Sequence, residues 1–150
     1  MNKFLLFTII IFFFSLTLLI PQNRGHLVII GGGDKTKEIM QTIVDLAGGI
    51  DSKIVIIPNA SSDPLESALY NQEEFKNLGC KYVDYLMFNR PDADKDSLVQ
   101  KLSGARGIFF SGGDQAFLTR DMLGTKLLEK VNEIYNNGGG SNNKLSVRSL

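Results

Sequence analysis

From Leu27 onward, short continuous apolar runs alternate with stretches in which apolar positions recur every three or four residues. Leu27-Val-Ile-Ile30, Lys53 to Ile57, Tyr82 to Phe88 (interrupted by Asp84) and Ile108-Phe-Phe110 read as strands, the last covered on both faces as in a parallel sheet. Between them Ile39, Met40, Ile43, Val44 and Ala47 repeat at helical spacing, and Gly48-Gly49 stop that helix. Asp63-Pro64-Leu65-Glu66 is a second helix start, with Asp as N-cap, Pro at the first position and Glu three residues after the cap. Leu65, Ala68, Leu69, Phe75 and Leu78 are expected on its inner side. Asp96 opens a short helix carrying Leu98, Val99 and Leu102. Two helical pieces follow Gln115, the second with Leu127, Leu128, Val131, Ile134 and Tyr135 on one side. Strand and helix in regular alternation, joined by short connections, predict an α/β fold: a doubly wound, mostly parallel sheet with strands near 26–30, 53–57, 82–88 and 107–110.

Residues 1–24 are a different material. Lys3 gives a positive start, Phe4 to Ile20 contains no charged residue, and a polar Pro21-Gln-Asn-Arg24 segment follows. That pattern predicts a signal peptide or membrane anchor over 1–24, and hence a secreted or membrane-anchored protein. The chain has 16 basic and 16 acidic residues; Lys3 and Arg24 are the charged residues before Gly25, so the remainder is mildly acidic. Nothing there suggests nucleic acid or an anionic membrane surface as partner. The single cysteine, Cys80, excludes an internal disulfide and a Cys-rich metal site, and its place at the head of an apolar run fits a buried structural thiol.

Three turns rich in small and polar residues follow strands: Gly31–Asp34, Pro58–Ser62 and Ser111–Gln115. In an open parallel sheet they share the carboxyl edge, where ligands bind. Gly112 and Gly113 let the backbone turn tightly and approach a ligand with no Cβ in the way. Gly31-Gly-Gly-Asp-Lys-Thr36 fails as a dinucleotide fingerprint because Thr stands where the third glycine belongs, and no Walker lysine is present. No cofactor and no metal are expected. His26, the one histidine, starts the first strand, at the end away from these turns. Asp34, Asp63 and Asp114 lie near the crevice, each also a candidate helix cap.

Taken in order, Gly31-Gly-Gly-Asp34, Ile56-Ile-Pro-Asn-Ala-Ser-Ser62, Gly107-Ile-Phe-Phe-Ser-Gly-Gly-Asp-Gln115 and Leu127-Leu-Glu-x-Val131 resemble the N-terminal half of the cyanophycinase group of serine peptidases. These are relatives of the aspartyl dipeptidases, on a flavodoxin-like fold akin to class I glutamine amidotransferases. The resemblance covers roughly residues 25 to 139. It implies hydrolysis of β-Asp-Arg or related peptides by a serine nucleophile with His and an acidic residue. It further implies Gly113 as an oxyanion-hole donor, Gly112, Asp114 and Gln115 as substrate contacts, a peptide substrate as partner, and a homodimer.

The departure from the family falls after Tyr135-Asn-Asn-Gly138. There the family runs into a fifth strand and a Gly-x-Ser-Ala-Gly nucleophile elbow, whereas this sequence reads Gly139-Gly-Ser-Asn-Asn-Lys-Leu-Ser-Val-Arg-Ser-Leu150. Ser111, Ser141, Ser146 and Ser149 stand in no elbow motif. The expectation is therefore a partial α/β domain over 25–138, truncated before the nucleophile strand, with a disordered polar tail over 139–150 and part of the core beside Ile108–Phe110 uncovered. Such a chain would be inactive alone. A peptide- or nucleotide-binding module of flavodoxin-like type, without chemistry, is the alternative.

Overall fold

The computed structural model describes residues 25–31 and 35–136 in full and residues 145–149 as backbone. Among these, the strands are β1 (His26–Ile30), β2 (Lys53–Ile57), β3 (Tyr82–Tyr85), β4 (Ala105–Phe110) and β5 (Leu145–Ser149). The helices are α1 (Lys37–Ala47), α2 (Pro64–Asn77), α3 (Asp96–Val99), α4 (Gln115–Met122) and α5 (Lys126–Asn136). The strands form one sheet in the order β1-β5-β4-β2-β3, and every pairing is parallel. This is the doubly wound α/β architecture that the alternation of patterns predicts.

Central strands of such a sheet are apolar at every position because consecutive side chains enter opposite layers. On one face, α1 and α2 bring Met40, Ile43, Val44 and Phe75 against Ile54, Ile56 and Phe109. On the other, Leu102, Met122, Leu127 and Val131 close over Val55, Ile57, Ile108 and Phe110. Phe75 and Phe109 meet edge to face, 5.3 Å between centroids at 82°, the arrangement that ring quadrupoles favour. Cys80 is buried in the first of these layers, and desolvation pushes its thiol pKa up, consistent with a structural role.

The sequence signals at the helix ends act as expected. The Thr36 hydroxyl accepts the Ile39 amide at the start of α1, and Gly48 ends that helix in the left-handed region at φ +103°. Asp63 caps α2 by accepting the Glu66 amide at 3.0 Å, with Pro64 in the first turn. The buried stripe of α2 corrects the sequence reading, however. Ala68, Asn71 and Phe75 face the core, whereas Leu65 and Leu69 are 47% and 49% exposed. A polar residue, Asn71, holds a place in the stripe because it has partners there, and that rotates the two leucines outward. The third strand is also shorter than 82–88, although the Leu86 amide still reaches the Ile56 carbonyl at 2.8 Å.

The larger correction concerns the tail. Residues 145–149 are a strand, inserted between β1 and β4 and in register with both, with Val147 opposite Val28 and Phe109. Without it, β1 and β4 would each present an open row of amides and carbonyls to the gap between them. An extended five-residue segment satisfies both rows at once. The alternation Leu145-Ser-Val147 was hidden in the sequence by the Gly-Ser-Asn-Asn stretch ahead of it. The core beside β4 is accordingly covered: Ile108 and Phe109 are each 1% exposed. The other tail positions, 139–144 and 150, lie outside the described residues. So does the leader expected over 1–24; among the described residues no helix is long and apolar enough to cross a membrane.

Candidate active-site turn

The carboxyl ends of β2 and β4 are neighbours, so the segments leaving them are tied together from the start. The Ser111 amide donates to the Ile57 carbonyl at 3.1 Å, and the Asp114 amide donates to the Ala60 carbonyl at 2.8 Å. Between these two clamps lie Gly112 and Gly113. Gly113 has φ +140°, and a Cβ built on it would fall 2.0 Å from the Ala60 carbonyl oxygen. The position therefore requires glycine twice over, for its backbone conformation and for its contact. Neither glycine amide has a hydrogen-bond acceptor among the described residues, and both residues are exposed.

Asp114 and Gln115 continue the turn into α4. The Asp114 carboxylate accepts the Ala116 amide at 2.8 Å and so caps that helix. Gln115 is the first residue of α4 and is exposed. The four residues that the resemblance singles out are thus contiguous on one edge. Ser111, immediately before them, is 2% exposed, and its hydroxyl oxygen accepts from the Asn71 side-chain amide at 3.3 Å. That burial sets it apart from an attacking nucleophile, as the sequence reading holds. His26 stands at the amino end of β1, on the opposite edge. Asp34 and Ser141 lie outside the described residues. Ser146 pairs in mid-sheet opposite Ile108, and the register brings Ser149, opposite Ile30, to the carboxyl edge.

Beside the turn is a cleft of about 500 Å³ that includes Asn59, Ser61, Asp63, Phe117, Arg120 and Asp121 in its lining. Arg120 grips Asp121 with two bonds, at 2.7 and 3.0 Å, and lies over the Phe117 ring at 5.2 Å. The Arg120 hydrogen bonds hold the Asp121 carboxyl below its ordinary pKa against the opposing effect of burial. Asn59 donates to the Phe88 carbonyl at 2.6 Å, while its own carbonyl oxygen is buried with no partner among the described residues, and nothing in the structure accounts for that orphan.

A second polar group reaches Ser111, the residue before the glycines, through Asn71. The Lys35 ammonium donates to Asn71 Oδ1 at 2.6 Å and to Glu74 Oε2 at 2.5 Å, between the rings of Tyr70 and Phe109 at 5.0 and 5.4 Å. Sequence reasoning missed both this group and the Arg120–Asp121 lining of the cleft. Lys35 and Asn71 are 36 residues apart, and no local spacing announces such a pair.

Three comparisons bear on this geometry. The family model described as Peptidase family S51 matches residues 27–139. Cyanophycinase of Synechococcus elongatus is 34% identical over 117 residues, 73% of this chain and 36% of its own length. That of Geminocystis herdmanii is 33% identical over 117 residues, and that of Nostoc sp. 28% over 129, with 42% and 43% of those proteins covered. The chain thus spans well under half the length of these curated relatives. Among solved structures, a peptidase from an acI-B1 Actinobacterium superposes with a TM-score of 0.66 at 23% identity, over 84% of this chain and 54% of that one, a likeness of fold. With its fold, its turn and the greater part of its length matched, the chain belongs to peptidase family S51.

Proposed function

We propose that the Gly112–Gly113 turn is the oxyanion-stabilising part of a serine-type peptidase site acting on β-Asp-Arg or related peptides. The observation that carries this reading is Gly113, held at φ +140° against Ala60 with its amide unpaired among the described residues. Backbone donors fixed in advance beside a scissile carbonyl stabilise the charge that develops on its oxygen, and each contributes about 10²–10³ in rate. In this reading the Gly113 amide is the donor, and Gly112, Asp114 and Gln115 line the substrate. The sequence contains no Gly-x-Ser-x-Gly elbow, and a hydroxyl attacks effectively only with a base in reach that a third group orients. This chain by itself then binds without turning over.

The test is titration of isotopically labelled chain with an oligomer of β-Asp-Arg units, with release of the β-Asp-Arg dipeptide measured in parallel. Amide signals of Gly112, Gly113 and Gln115 are expected to shift while no release occurs; unshifted signals at saturating oligomer would sink the proposal. Release abolished by Ser149→Ala, the serine whose register reaches this edge, would instead place a nucleophile within the chain. The second reading, a binding module without chemistry, draws on the burial of Ser111 and the far-edge position of His26. It predicts the same shifts, and predicts that joining the chain to the rest of a relative confers no activity. For residues 1–24 we propose export: a reporter fused after Arg24 should leave the cytoplasm, and retention there would refute it.

A further inference from the structure

The polar group around Lys35 has a property that a simple surface ion pair lacks: it fixes the direction of a side-chain amide. An ammonium can only donate, so the Asn71 oxygen must face Lys35. The Asn71 nitrogen is thereby turned the other way, where it donates to the Ser67 carbonyl at 2.6 Å and to the Ser111 hydroxyl oxygen at 3.3 Å. Asn71 and Ser111 are 3% and 2% exposed, so water does not compete for these bonds. Glu74 balances the ammonium, and the rings of Tyr70 and Phe109 restrict where it can sit. The series runs from Lys35, just ahead of α1, through α2, to the residue that begins the Gly112–Gly113 turn.

We propose that Lys35 and Asn71 are positioning residues that set the Ser111–Asp114 turn, acting through the Ser111 hydroxyl. Among the described residues the turn is clamped by backbone bonds at Ser111 and Asp114; the Asn71 bond adds a third hold, on the Ser111 side chain. With that hold in place the glycine amides keep one direction. Released, Ser111 swings about its backbone bond and carries Gly112 and Gly113 with it. This rests on the oxyanion reading for its significance, but the arrangement can be tested with no substrate present, so either idea can fail without the other.

Amide hydrogen exchange on the full labelled chain provides the test. Lys35→Met is expected to speed exchange at Asp114 about tenfold, the equivalent of one hydrogen bond's net contribution. Ser111→Ala should do the same, the double variant should do no more than either alone, and Lys35→Arg should restore the parent rate. Amides in the middle of β2 should be unaffected throughout. Lys35 makes no direct bond to Ser111, so non-additivity between them reports coupling through Asn71. Independent, additive effects overturn the proposal, as does unchanged Asp114 exchange in Lys35→Met. Should Lys35→Met not fold, Ser111→Ala decides alone, and an unchanged Asp114 rate there overturns it.

Discussion

A methyl group added at Gly113 would land 2.0 Å from the Ala60 carbonyl oxygen, on a backbone held at φ +140°. Gly113→Ala is expected to cost about 1–3 kcal/mol for the backbone and a similar amount for the overlap. Urea denaturation measures the sum, and a loss under 1 kcal/mol would show that the turn has room to yield. Asp121 gives a prediction in pH. Its folded pKa lies below its ordinary value of 3.8 because Arg120 bonds its carboxylate. It therefore stabilises the fold above that value, and the contribution disappears as pH falls through the lower folded one. Asp121→Asn should be less stable than the parent at pH 6, with the gap narrowing toward pH 3; a gap independent of pH would contradict the pairing. At this scale the sequence was legible where a residue acts on its near neighbours. Asp63 and Asp114 cap the helices that follow them, as their positions predict. It was silent where partners are distant in the chain, as for Lys35, Asn71 and Ser111.

Among the elements, β5 departs furthest from its sequence pattern. Five residues with two apolar positions, behind a polar stretch, give too little period to distinguish a strand from a tail. What makes them a strand is the gap between β1 and β4, which exists only once the other elements are in place. Since β5 pairs on both sides, Val147→Pro should remove an amide from the middle of the sheet and cost about 2 kcal/mol or more. The same substitution in a loose tail would cost nothing measurable by chemical denaturation, so the two descriptions separate cleanly. The central strands β2 and β4 were legible because their apolar runs fit strands buried on both faces, and β1 and β3, more exposed at the ends of the sheet, were legible from their alternation with helices. On α2 the pattern misled, since leucine at helical spacing does not say whether a polar neighbour already occupies the inward position.

Across the whole molecule, burial is uneven along the sheet. Ile56 in β2 is fully buried, while Leu27 and Ile29 in the end strand β1 are 54% and 61% exposed. Ile56→Ala should cost about 2–5 kcal/mol, whereas Ile29→Lys should stay within about 0.5 kcal/mol of the parent. Equal losses from the two, measured by denaturation, would mean that β1 is packed as tightly as the centre. The same strand also sets an orientation. The Gly25 amide is bonded to the Tyr135 carbonyl at 2.7 Å, so the point where residues 1–24 join the domain is pinned at the amino ends of the strands. The Gly112–Gly113 turn lies at their carboxyl ends, roughly 17 Å away along a five-residue strand. Whatever enters the crevice therefore approaches from the edge opposite the one at which the first residues join the sheet.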